Sequence, residues 1–390
     1  MSDNFTETTS TSWFTRLSRS FGGIFIGLLL VLVSLVGLFI NEGRAVKTAR
    51  ALAEGAGIVT SIDASAIDPA RDGRLVHVSG AISPIGTPAD PEFSISVPGA
   101  LRLERQVEMY QWKETSSSET RNKVGGGTET VTTYRYEKTW SPSRIDSGAF
   151  RQPAGHENPN MAIAGSQHLA DGAELGAFRL TQSQISSLGE TRPVQPDAKS
   201  RTRLAAATGK LAAAQSGDAL YSGDPANPGI GDLRVSWKAA FASEISIVGK
   251  QTGNGLTAYK TSNGRELLMI RNGNVGADTM FEDAQAGNAT LTWVLRVAGL
   301  VALFAGFSMM LSILGVIGDV IPMIGRLVRS GTGLVAMFLT AILGPLAIAL
   351  GWVAYRPLVA LAILAIGLAI AWIVTRMARN RQPLDAAVKA

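Results

Sequence analysis

Four runs of almost unbroken apolar residues punctuate this chain, at residues 21–40, 297–318, 333–355 and 357–374. Each approaches the ~20 residues with which a helix crosses a hydrocarbon core. Residues 41–292, between the first and second runs, follow another pattern: short alternations of apolar and polar positions, broken by Gly, Pro, Asn and Asp. The two patterns predict four α-helical transmembrane spans, one N-terminal and three C-terminal, and a single α+β extramembranous domain at 41–292. A Ser/Thr/Asn-rich cytoplasmic tail at 1–20, disordered near its tip, an interfacial loop at 319–332 and a second cytoplasmic tail at 375–390 complete the expected organisation. The first run exceeds the h-region of a signal peptide and ends in Phe39-Ile40-Asn41-Glu42 rather than in small residues, so it reads as a retained anchor.

Inside 41–292, Ala45, Ala49, Leu52 and Ala53 keep helical spacing and carry the first helix on to Gly55 or Gly57. Runs rich in β-branched and aromatic residues predict strands at 74–79, 106–112, 131–140, 174–180, 233–241, 245–250, 256–261 and 266–271. Helices are expected at 181–188, 199–214 and 277–286, the last leading into the second span. A polar, glycine-rich stretch joins 106–112 to 131–140, which predicts a long hairpin with a mobile tip. Its aromatic positions, Tyr110, Trp112, Tyr134, Tyr136 and Trp140, are the candidate partner contacts, with packing into the core as the competing role.

Charge separates the two materials. Residues 41–292 hold 26 Lys/Arg against 27 Asp/Glu, so the formal +5 and the high pI come from tails and short loops. That distribution gives no support to nucleic-acid binding, which needs a basic face on the folded domain. Arg16 and Arg19 precede the first run, Arg326 and Arg329 separate the second from the third, and Arg376, Arg379 and Arg381 follow the fourth. The positive-inside rule then places both termini in the cytoplasm and the 41–292 domain in the periplasm, or in the lumen of a eukaryotic cell. The membrane is the bacterial inner membrane or, in a eukaryote, the endoplasmic reticulum and nuclear envelope. Arg326 and Arg329 are candidate contacts to lipid headgroups.

Catalytic and ligand-binding patterns are weak. The absence of cysteine removes disulfides and thiolate metal sites. The three histidines, His77, His156 and His168, lie in no zinc-protease or paired-ligand spacing, and no Gly-x-Ser-x-Gly elbow occurs. Gly229-Ile230-Gly231-Asp232 and Gly125-Gly126-Gly127 read as turns rather than phosphate cradles. No catalytic residue, cofactor or metal site is assigned. The spans contain no charged residue in their centres, which argues against a pump or coupled transporter; Pro345 reads as a kink. Gly23 and Gly27 in the first span, and Ala365 and Ala369 in the fourth, form small-xxx-small pairs suited to helix packing, within one chain or between copies.

Several short segments carry a resemblance. They are Asn41-Glu42-Gly43-Arg44-Ala45, Gly73-Arg74-Leu75-Val76-His77, Val107-Glu108-Met109-Tyr110-Gln111-Trp112, Gly155-His156-Glu157-Asn158-Pro159, Gly231-Asp232-Leu233-Arg234-Val235-Ser236, and Gly351-Trp352 with Tyr355-Arg356-Pro357-Leu358. Their order and spacing resemble the LUMA family, also called transmembrane protein 43, over almost the whole chain. The resemblance implies the same membrane topology. It also implies a role in organising membrane protein complexes, through association with itself, emerin and lamins, and a link to lipid metabolism. It supplies no catalytic residues. The cysteine-free, Ala/Gly-rich composition points to a bacterial member, for which the nuclear-envelope partners do not transfer. The expected function is a non-catalytic membrane scaffold whose partners are membrane lipids, further copies of itself and other membrane proteins. The alternative is an envelope or lipid-processing enzyme with its site in 41–292.

Overall fold

The computed structural model describes residues 3–210 and 213–358, together with 361, 369, 372, 373 and 376. Its helices, in chain order, are α1 (Trp13–Ile58), α2 (Gln182–Ile185), α3 (Ala198–Thr208), α4 (Ala277–Gly318) and α5 (Pro322–Tyr355). The chain divides into a sheet unit, Met1–Thr9 with Ala51–Thr120 and Thr130–Ala284, and a helical unit, Ser10–Arg50 with Arg121–Glu129 and Gln285–Ala390.

The sheet unit contains two large sheets. In the first, strands Leu75–Ile85, Gly172–Leu175, Phe178–Leu180, Gly255–Thr257 and Glu244–Thr252 pair in turn. The last pairs back onto the first, from Glu244↔Ala81 to Lys250↔Leu75, which closes a small barrel. Thr60–Ile62 and Met269–Asn272 add to this seven-stranded sheet as its end strands, on Leu75–Ile85 and Glu244–Thr252 respectively. Val76, Val78, Leu175, Phe178, Leu180, Ile245, Ile247 and Leu256 fill its interior. Each large side chain buried there contributes roughly 1.5–3 kcal/mol. Ala51 and Leu52 from α1, and Met280 and Phe281 from α4, pack with Leu75, Val248 and Leu267 in a separate cluster.

The second sheet is built on Arg102–Asn122, paired antiparallel with Leu233–Phe241 from Arg102↔Ala240 to Met109↔Leu233. Alternate residues Leu103, Arg105, Val107, Met109 and Gln111 are buried, the period-two pattern of a sheet with one covered face. Leu103, Val107, Met109, Leu220, Leu233, Val235 and Trp237 form that core with Phe93. On its other side the long strand meets Thr128–Ser141, which pairs in turn with Asp3–Thr11. The N-terminal tail, expected to be disordered, is thus a strand followed directly by α1; its run of Thr and Ser suits an exposed strand. Helix is sparse in this unit, so it is more β-rich than the α+β expectation. Two expected helices shrink to α2 and α3. Asp197 caps α3, accepting a bond from the Ser200 backbone N–H at 2.8 Å, and Gly209 ends it in the left-handed region at φ 65°.

In the helical unit α1, α4 and α5 pack around Val31, Leu303, Phe307 and Ala336. Among the described residues these are the helices long and apolar enough to cross a membrane. A fourth crossing at 357–374 lies largely outside the described residues, as does Ala365; Ala369 is helical and exposed. The interfacial loop expected at 319–332 reduces to a break at 319–321, because α5 begins at Pro322 and takes Arg326 and Arg329 into helix.

Candidate functional site

Two buried polar clusters organise the helical unit. The first grows from Asn41-Glu42-Gly43-Arg44, where the apolar run of α1 stops. Glu42 is 2% exposed. A carboxylate so deeply buried is tolerable only when paired and hydrogen-bonded. Arg296 of α4 supplies both, its Nε donating to one carboxylate oxygen at 2.7 Å and a terminal nitrogen to the other at 2.8 Å. From α5, the indole N–H of Trp352 donates to Glu42 at 2.9 Å. The Arg296 guanidinium also lies 4.7 Å from the centroid of the Trp293 ring.

Glycine makes this meeting possible. A Cβ on Gly351 would stand 2.8 Å from that of Glu42, and one on Gly43 would stand 2.5 Å from the Tyr355 ring. Arg44 bonds Asn41, Asn288 and the Thr292 hydroxyl, and Asn41 donates to the Thr292 carbonyl at 3.1 Å. One carboxylate, one guanidinium and one indole thus tie three helices together.

The second cluster centres on Asp319, whose side chain is 0% exposed. Arg16 of α1 and Arg329 of α5 each donate to it at 2.6 Å. The third donor comes from the hairpin tip, the Asn122 amide at 3.1 Å. Arg16 also donates to the Gly126 carbonyl, the Gly125 N–H reaches the Val320 carbonyl at 3.3 Å, and the Trp13 indole donates to Val316 at 2.9 Å. A Cβ on Gly126 would enter the Trp13 ring. The tip expected to be mobile is therefore tied down by charged and backbone groups. Arg121–Glu129, within 41–292, groups with the helices. At 1.5 Å per residue, Arg16 and Glu42 stand about 39 Å apart along α1, more than the ~30 Å of a hydrocarbon core.

The other singled-out residues fall as follows. Gly27 packs on Gly306 of α4, where a Cβ would meet the Gly306 carbonyl at 2.7 Å; Gly23 lies farther off, beside Met309. That close approach is within one chain. Arg326 is exposed. Around the base of the hairpin, Tyr110 and Trp140 rings lie 5.2 Å apart and Trp140 meets Tyr221 at 5.9 Å. Trp112 contacts His156 edge-on at 4.7 Å, Tyr136 stacks on His156 at 4.0 Å, and Tyr134 meets Phe5 at 6.1 Å. Tyr110, Trp112, Tyr134 and Trp140 are half-buried, while Tyr136 is only 2% exposed and spent on internal packing. Burial, then its bond to Glu114 at 2.7 Å, pushes the Tyr136 phenol up to about 12.

The histidines have structural partners: His77 sits between Ser61 and the Val275 carbonyl, and His156 bonds the Gln152 carbonyl. Asn158, two residues on, uses its amide to hold both backbone groups of Trp112. Asp232 binds Lys210 at 2.7 Å and the Gly229 N–H at 2.7 Å, so Gly229-Ile230-Gly231-Asp232 is a carboxylate-locked turn. Among the described residues no three His, Asp or Glu stand together where they would hold a metal ion.

Sequence reasoning missed the buried charge network of the sheet unit. Arg105 falls on the buried row of its strand, between Leu103 and Val107. It binds Asp90 through one nitrogen at 3.2 and 3.1 Å and Glu92 through another at 2.6 Å, while the Trp237 indole donates to Asp90 at 3.0 Å. The signal was an arginine at an alternating core position, which a strand buries only with a counter-charge.

Long apolar helices attached to a sheet-rich unit, with buried ion clusters at the helix ends, define an integral membrane protein. The family model of Transmembrane protein 43 matches residues 109–357. The human Transmembrane protein 43 is 35% identical over 381 residues, covering 94% of this chain and 92% of its own. The rat protein is 35% identical over 356 residues, 88% of this chain and 87% of its own. The Drosophila melanogaster Transmembrane protein 43 homolog is 28% identical over 358 residues, 87% and 91% respectively. The chain belongs to the Transmembrane protein 43 family. No solved structure matches it.

Proposed function

We propose that this chain is a non-catalytic, multi-pass membrane scaffold that associates with further copies of itself and organises membrane proteins and lipids around it. In this reading residues 357–374 make a fourth crossing, so that both termini share the cytoplasmic face marked by Arg16, Arg19, Arg326 and Arg329. The observation that carries the reading is the use made of buried charge. Glu42, Asp319, Asp90 and Asp232 each join separate segments of the fold through Arg or Lys. Such pairs fix geometry and register rather than turn over a substrate. The half-buried aromatics Tyr110, Trp112, Tyr134 and Trp140 are the contact region assigned to protein partners, where aromatic side chains supply area at low entropic cost.

The test is native mass spectrometry of the full chain extracted gently from its own membrane. A discrete oligomer that retains protein partners or specific lipids is the expected result. A bare monomer, with no retained protein or lipid, would end the scaffold reading.

A further inference from the structure

The end of the helical unit where α1 runs on toward Ala51 carries two arginines without a counter-charge. Arg50 stands about 12 Å beyond Glu42 along α1, and its side chain donates to the Tyr355 carbonyl at 2.9 Å. Arg356 comes next in the chain, in the break that ends α5. Both residues are exposed, and among the described residues neither meets a carboxylate. Glu42 is taken by Arg296 and Trp352, and Glu54, one turn past Arg50, by Ser262. A cation at the C-terminus of α5 complements the helix dipole. Arg50 does that through the Tyr355 carbonyl, so the Arg356 guanidinium is left over. Apolar and aromatic groups stand around the same helix ends: Ile40 is 57% exposed, Val353 53% and Leu358 80%, with Trp352 half-buried and Trp293 beside Arg296. Indoles among cations and open aliphatic side chains are the composition of a membrane–water interface.

We propose that Arg50 and Arg356 together hold the phosphate of an anionic phospholipid, whose acyl chains run along Ile40, Val353 and Leu358. Arg50 reaches the last carbonyl of α5 and Arg356 is the residue after it, so the two cations share one helix end. The Tyr355 carbonyl uses a single N–H of the five that Arg50 carries, and the planar guanidinium forks match phosphate oxygens. The surrounding aliphatic groups favour a lipid over a free anion, since a soluble phosphate has no use for Ile40, Val353 or Leu358. Position favours it too. At the end of the helices away from Arg16 and Arg326, positive charge gains nothing from the positive-inside rule, so topology does not account for these two arginines. The site takes from the scaffold reading only the chain's residence in a bilayer.

The experiment uses the full chain in nanodiscs of phosphatidylcholine mixed with phosphatidylglycerol, with retained lipid read by native mass spectrometry. The wild-type chain is expected to retain phosphatidylglycerol above its share of the bilayer. Arg50→Gln and Arg356→Gln each lower that enrichment by about fivefold, the weight of one cation near an anionic surface. The double variant returns it to the share of the bilayer. Arg179→Gln, which removes one exposed cation from the sheet unit, leaves it unchanged; an equal loss there would reduce the effect to net charge and remove the site. Enrichment that survives the double variant, or equal retention of the two lipids, would overturn the proposal. Glycerol 3-phosphate added in excess is expected to leave the bound lipid in place, and displacement would give the site to a free anion. The Arg356 side chain makes no bond among the described residues, so Arg356→Gln is expected to lose the lipid and keep the wild-type melting temperature in detergent. A lowered melting temperature would assign the residue to the fold instead. The oligomer mass in the same spectrum reports separately on the scaffold reading.

Discussion

The sheet unit and the helical unit bury the same device. In one, Arg105 grips Asp90 through both carboxylate oxygens while the Trp237 indole donates to it. In the other, Arg296 grips Glu42 with two nitrogens, one to each carboxylate oxygen, and the Trp352 indole donates. Their surroundings differ. Trp237 is 0% exposed and stacks edge-on against Phe93, and Arg105 has a second carboxylate in Glu92. Trp352 is only half-buried and sits at the edge of an apolar run. In the sheet unit, therefore, the Trp237 indole is sealed in and depends on Asp90 for its hydrogen bond. In the helical unit the indole lies where water or headgroups can take over. A carboxylate, an arginine and an indole make a core network in one place and a helix clamp in the other.

That contrast is open to test. Arg105→Met and Arg296→Met each leave a buried carboxylate without its counter-charge and should cost ~3–5 kcal/mol, the largest effects expected here. Thermal unfolding in detergent micelles measures both. The double variants then separate the two settings. Glu42→Leu with Arg296→Met recovers most of the loss, because the remaining indole is not sealed in. Asp90→Leu with Arg105→Met recovers little, because the Trp237 N–H is left buried without a partner. Equal recovery in the two units would erase the distinction.

A smaller effect is expected where helices meet without charge. Gly27→Val drives a side chain into the Gly306 carbonyl and should cost ~1–3 kcal/mol by overpacking, read as a lower melting temperature in the same assay. The smallest effect concerns pH. The Tyr136 phenol ionises near 10 when unfolded and near 12 when folded, so its contribution is intact below pH 10 and is lost as pH rises to 12. Tyr136→Phe should flatten the alkaline limb of the stability profile, at a cost of about 1 kcal/mol near neutrality for the bond to Glu114. An unchanged alkaline limb would show that this phenol does not set it.

Legibility in the sequence followed the range of the interactions. Alternation located 233–241 as a strand with the bounds the structure gives, Leu233–Phe241, because a half-buried strand writes its period into consecutive residues. The short strands Glu190–Val194, Ala214–Ser216 and Ala219–Tyr221 escaped notice. They hold few residues each, and their conformation is imposed by pairing with Leu233–Phe241 or with one another. The tail Asp3–Thr11 is the extreme case: its threonines permit a strand, and pairing with Thr128–Ser141 makes it one.

By itself the sequence determined that this chain enters a membrane, where each apolar helix begins to be lost to polar sequence, and which motif segments it shares with its family. Those properties live in runs of adjacent residues, since transfer into hydrocarbon is additive along a helix. Only the tertiary structure decided what Asn41-Glu42-Gly43-Arg44 and Gly351-Trp352 do. They are about 310 residues apart, and neither explains a buried carboxylate until Arg296 stands between them. The same holds for the hairpin tip. Gly125-Gly126-Gly127 reads as a mobile turn in isolation, and it becomes a fixed part of the helical unit because Arg16 and Asp319 need its carbonyl and its neighbouring amide. Charge buried across long sequence separations leaves no local pattern, so its partners were fixed by the fold alone.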